Sequence, residues 1–246
     1  PRSTPLYSSA ASDVYKRQLS HQHAHIAFLT FDINLLFATT MKILSALLAA
    51  LSVTRISAGG VRAVDGSTKE QQQRSRHLQN AEELAIAWQT NDPNFADYSD
   101  ELQIQRYTLA LFYYATGGDN WENNTDWLDY EVPECEWFSK ADPVCDENGI
   151  YLALHLDDNG LVGELPPELS LLSKLEMLEL SINAIAGEIP TTLGGLSNLD
   201  YLNLGDNQLS GILPSELTNL VQLRRFALSI NNLVGEIPTQ IGLLTK

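Results

Sequence analysis

Asparagine returns every 24 residues, at Asn159, Asn183, Asn207 and Asn231, and glycine keeps the same interval at Gly163, Gly187, Gly211 and Gly235. Proline follows at Pro166, Pro190, Pro214 and Pro238. Apolar pairs follow at Leu154 and Leu156, Leu178 and Leu180, Leu202 and Leu204, and Phe226 and Leu228. Several columns in one register cannot arise from a chain with a single irregular core. A unit this short cannot bury its own apolar face, so each copy must stack on the next.

The pattern L-x-x-L-x-L-x-x-N with a period in the twenties is that of a leucine-rich repeat solenoid. Alternating leucines point to one side of a short strand, and each repeat is expected to contribute one such strand to a common inner wall. The asparagine amide can satisfy turn backbone groups that would otherwise be buried unpaired. Glycine permits the tight bend, and the proline of Gly-x-Leu/Ile-Pro fixes φ where the chain enters a helical or 3₁₀ segment. Leu169, Leu193, Leu217 and Ile241 then fill the convex side. Repeats are placed at 151–174, 175–198, 199–222 and 223–246. Because no polar cap follows Lys246, the chain is expected to be truncated there.

The preceding block, 80–150, is expected to seal the first repeat. A capping-box spacing at Asn80 and Glu83 predicts a helix carrying Ala81, Leu84, Ala85 and Trp88 on one face, ending near Pro93. A second helix is predicted over 99–116, stopped by Gly117 and apolar on two sides. Trp121, Trp127, Leu128, Trp137 and Phe138 supply aromatic mass. With two cysteines in 246 residues, one bridge from Cys135 to Cys145 is available. A four-thiolate zinc site is not.

The leading residues read differently. Residues 1–18, with SSAASDVYKRQ at Ser8 to Gln18, resemble a translated sequencing adapter, and 19–40 read as translated 5′ untranslated sequence. His21, His23 and His25, spaced like metal ligands, fall in that stretch. Met41 and Lys42 open a signal-peptide pattern over 41–58, with an apolar run from Ile43 to Val53 too short to cross a bilayer and cleavage points at Ala58 or Ala63. Joining this run to Ile26–Thr40 would give a membrane anchor, which Asp32 and Lys42 oppose. Residues 59–79, rich in Gln, Ser and Arg, are expected to be a disordered linker or a pro-segment; Arg74, Arg76 and His77 read as solvated linker charge rather than a processing site. Secretion favours the disulfide. It also makes Asn123, in Asn123-Asn124-Thr125, a glycosylation acceptor.

The repeat L-x-x-L-x-L-x-x-N-x-L-x-G-x-I/L-P behind a C-x-W…C cap resembles the plant-type extracellular leucine-rich repeat family. That family includes ectodomains of receptor-like kinases and receptor-like proteins, and secreted polygalacturonase inhibitors. Tyr107 to Trp127 also resembles the caps of receptor-like repeat proteins of diatoms and other algae. The resemblance covers about 80–246. It implies an α/β, right-handed solenoid of plant-type repeats with a helical, disulfide-bonded N-terminal cap, and a recognition role toward a protein, peptide or glycan.

In such a solenoid the solvent-facing side chains of the strand wall carry recognition. By register these include Met177, Tyr201 and Arg225 in one column, His155, Glu179 and Asn203 in the next, and Asp157 beyond. An exposed Tyr, Met and Arg among acids has the composition of an interaction patch. The 31 acidic against 15 basic residues, a formal charge of −16, argue against nucleic-acid binding. The chain holds no G-x-S-x-G, H-E-x-x-H, phosphate-loop or dinucleotide glycine motif, so no catalysis, cofactor or metal is expected. The reading is a secreted or cell-surface recognition module: the N-terminal part of a receptor-like protein, membrane-bound only through a later span, or a soluble inhibitor or matrix binder.

Overall fold

The computed structural model describes residues 69–243. The adapter-like segment, the untranslated-like segment, the signal peptide, residues 59–68 of the linker and the last three residues lie outside them.

Helix α1 (Lys69–Asn91) and helix α2 (Asp100–Ala115) pack against each other ahead of the repeats. α2 starts where expected, with the Ser99 side chain accepting a hydrogen bond from the Leu102 amide, and Gly117 follows it in a left-handed conformation. α1 corrects the linker reading: it begins eleven residues before Asn80, and residues 69–79 are helical. The Lys-Glu-Gln-Gln-Gln-Arg stretch holds no apolar residue, but its straight-chain residues favour the helix. Two contacts also dock the segment. Arg74 pairs with Glu164 at 3.2 Å, and a His77 ring nitrogen lies 3.0 Å from the Ala115 carbonyl.

The repeats wind as coils with two parallel strands each, rather than one. Strands β1 (Ala153–His155), β3 (Met177–Glu179), β5 (Tyr201–Asn203) and β7 (Arg225–Ala227) form one sheet. Strands β2 (Val162–Glu164), β4 (Ala184–Glu188), β6 (Gln208–Ile212) and β8 (Asn232–Val234) form the other. The second sheet arises from the L-x-G-x-I/L-P segment, whose glycine approaches the previous coil closely. A Cβ on Gly187, at φ +83°, would sit 2.9 Å from the Glu164 side chain, and one on Gly211 2.9 Å from that of Glu188. After Pro166, Pro190 and Pro214 the chain makes the expected 3₁₀ turns, at Pro167–Leu171, Thr191–Gly195 and Ser215–Asn219.

Leu154, Leu156, Leu169, Leu178, Leu180, Leu193, Leu202, Leu204 and Leu217 are almost wholly buried in the stack. The asparagines bond as predicted, and they also reach between coils. The Asn183 amide donates to the carbonyls of Leu156 (2.9 Å) and Leu180 (3.0 Å), while its oxygen accepts from the amides of Asn159 (3.1 Å) and Leu161 (2.9 Å). Asn207 and Asn231 donate in the same way one and two coils on. At the cap end, Asn159 exchanges hydrogen bonds with the Asn123 backbone.

Further hydrogen bonds join the cap to the first coil. The Val162 amide donates to the Thr116 carbonyl, the amides of Leu152 and Ala153 donate to Val144, and Gln105 clamps the Tyr151 amide and the Gly149 carbonyl. Cys135 and Cys145 form the expected disulfide. Beneath it, Arg106 is 2% exposed, pairs with Asp92 at 3.0 Å and with Glu134, and lies 4.6 Å from the ring centroid of Tyr98 and 5.0 Å from that of Trp88. Burial pushes the Glu134 carboxyl up, against the pull of Arg106. Among the described residues no helix is long and apolar enough to cross a membrane.

Candidate ligand-binding face

Parallel pairing fixes which side chains stand side by side. Ala153, Met177, Tyr201 and Arg225 are register partners along the first sheet, and so are His155, Glu179, Asn203 and Ala227. The sheet therefore brings Met177, Tyr201, Arg225, His155, Glu179 and Asn203 into two adjacent columns, with Asp157 just past β1.

Their exposures divide their roles. Glu179 is only 6% exposed, although it lies on the outer side of its strand. One carboxylate oxygen accepts from the Ser181 amide at 3.0 Å; the other accepts from the Asn203 amide at 3.0 Å and from the Tyr201 hydroxyl. With its acceptors occupied, Glu179 is a positioning group. It holds Tyr201 upright, and its hydrogen bond, followed by burial, raises the phenol's pKa. The Arg225 guanidinium lies 4.6 Å from the Tyr201 ring centroid, so cation and ring form one stack across two coils. Asn203 turns its oxygen to the Gly205 amide at 3.0 Å.

The cap end of the face is a separate cluster. A His155 ring nitrogen lies 2.8 Å from an Asp157 carboxylate oxygen, and the Lys140 ammonium lies 3.0 Å from the same oxygen. Ser139 stands nearby, but its hydroxyl meets the backbone of His155 rather than its ring. Lys140 reaches the face from the cap loop, which the strand register alone does not reveal. The remaining accessible residues are Met177, half-buried, and Arg225, exposed. Among the described residues no three His, Cys, Asp or Glu side chains gather as a metal site.

Asn123 is half-buried on the cap surface. Its side-chain oxygen accepts from the Thr125 amide at 3.0 Å and from the Thr125 hydroxyl at 2.7 Å.

Residues 173–233 match the family model described as Leucine rich repeat. No curated protein matches the chain. Among solved structures, one titled as a PEPR1–AtPEP1 complex is 34% identical over 45% of this chain and 15% of its own, with a TM-score of 0.42. The ectodomain of the receptor kinase SOBIR1 from Arabidopsis thaliana is 36% identical over 39% of this chain and 51% of its own, with a TM-score of 0.37. A plant ice-binding protein is 26% identical over 56% of this chain and 51% of its own, with a TM-score of 0.42. The chain thus spans only part of each, and a small part of the first. The 24-residue pattern, the two-stranded coils and the match over residues 173–233 agree that this part of the chain is built of leucine-rich repeats.

Proposed function

We propose that the chain is a recognition module that binds a protein or peptide ligand across the first sheet, as the N-terminal part of a receptor-like ectodomain at the cell surface. The observation that carries this reading is the Tyr201–Arg225 stack, an accessible aromatic and cation held in place by the buried Glu179. Aromatic and arginine side chains give the largest contact energies at protein interfaces, and a preorganised pair loses little entropy on binding. In this reading the module performs no catalysis, and Asn123 carries a glycan on the cap.

The test is selection of binders from a displayed random-peptide library on the full chain. The reading expects a family of peptides whose binding falls at least tenfold with Tyr201→Ala or Arg225→Ala, while Gln208→Ala on the second sheet leaves it unchanged. Binders indifferent to both columns would contradict it.

A further inference from the structure

A second surface follows from backbone strain rather than from the sheet. Asp158, Ile182, Asp206 and Ile230 occupy one position in successive coils, and all four have left-handed backbones, at φ 47°, 55°, 54° and 55°. The ladder imposes this conformation: the Ile182 amide donates to the Gly205 carbonyl at 3.1 Å, the Asn183 amide to the Asp206 carbonyl at 3.0 Å, and the Asn207 amide to the Ile230 carbonyl at 3.0 Å. Aspartate tolerates that region, whereas a β-branched side chain there is an outlier.

Neither isoleucine belongs to the buried core. Ile182 is 51% exposed with a coil on either side of it, and Ile230 is 71% exposed. An isolated exposed isoleucine is ordinary. One held at a strained backbone, and repeated two coils later at the same position, is not explained by folding. Between and before them stand Asp206 and Asp158, both exposed. Neither has an ion pair among the described residues.

Coils lie about 4.8 Å apart, so the rim presents acid, aliphatic, acid, aliphatic, with the two isoleucines roughly 10 Å from each other. We propose that this rim is an interaction surface for a protein segment that carries aliphatic side chains interspersed with lysine or arginine. The exposed carboxylates favour a cationic partner. The chain's formal charge of −16 opposes a second copy of itself as the occupant. This surface lies beside the Tyr201–Arg225 columns and does not depend on their role.

The full chain is tested with two probes of about ten residues and equal charge, one alternating lysine with leucine and one alternating lysine with serine. The leucine probe is expected to bind roughly tenfold tighter than the serine probe. The joint substitution Ile182→Asn and Ile230→Asn should abolish that preference, and Tyr201→Ala should leave it intact. Ile230→Asn alone, at a side chain 71% exposed, should also raise Tm by roughly 2–8 °C, because strain is relieved with little loss of burial. Equal binding of the two probes, a preference that survives the double substitution, an unchanged Tm, or sedimentation showing self-association through the isoleucines would each overturn the proposal.

Discussion

The hydroxyl of Tyr201 donates to the carboxylate of Glu179, one coil earlier, and so couples the two central columns of the first sheet. Glu179→Ala removes the acceptor for Tyr201, Asn203 and the Ser181 amide together. It is expected to cost about 1–3 kcal/mol. The Tyr201 phenol should then titrate closer to its ordinary range, because its hydrogen bond to Glu179 is the largest cause of the upward shift. Ultraviolet difference titration checks the second outcome; an unmoved phenol would mean that the bond is not formed in solution.

Arg106 balances two buried carboxylates and sits against three aromatic rings. Arg106→Met leaves Asp92 and Glu134 facing each other without a cation. The expected loss is about 3–5 kcal/mol, read by urea unfolding. A loss within the range of ordinary surface substitutions would show that water reaches this cluster.

Alkali should loosen the cap. The Tyr113 phenol is pushed up to about 12, first by burial and then by its hydrogen bond to Asp119. A folded-state pKa above the unfolded one adds stability that is full below about pH 10 and is lost as pH climbs through 12. Melting followed by circular dichroism should therefore show Tm falling across that interval, and Tyr113→Phe should make the fall shallower.

Closing the loop between Cys135 and Cys145, ten residues apart, should contribute about 2–4 kcal/mol. Reduction is expected to lower Tm for the whole array, because the amides of Leu152 and Ala153 in the first coil hang on Val144 within that loop. Superimposable melts with and without reductant would contradict this.

The coils were legible because Asn, Gly and Leu each solve a backbone problem that recurs at a fixed interval. The columns of Tyr201, Arg225, Glu179 and Asn203 followed from that register without further information. Four features did not follow. The second strand of each coil rests on coil-to-coil hydrogen bonds around Gly187 and Gly211, and a glycine signals a bend but not a ladder. The helix over residues 69–79 has no apolar periodicity, and its docking through Arg74 and His77 joins residues distant in sequence. Arg106 lies among apolar helix residues, and its partners come from distant places, Asp92 just after α1 and Glu134 in a 3₁₀ turn. The left-handed backbones of Ile182 and Ile230 were hidden because isoleucine is the residue least expected there.

Leu178 is fully buried between Leu154 and Leu202, its register partners. Leu178→Asp places a charge in that dry stack without a counter-ion and is expected to abolish cooperative unfolding. A variant that is folded and melts cooperatively would refute the assigned inner register.

The most direct test of recognition through the first sheet is hydrogen exchange of the full chain, with and without a library-selected peptide. The account predicts added protection over 177–181, 201–205 and 225–229, with residues 184–188 and 208–212 of the second sheet unchanged. Protection confined to the second sheet or the 3₁₀ turns would contradict it.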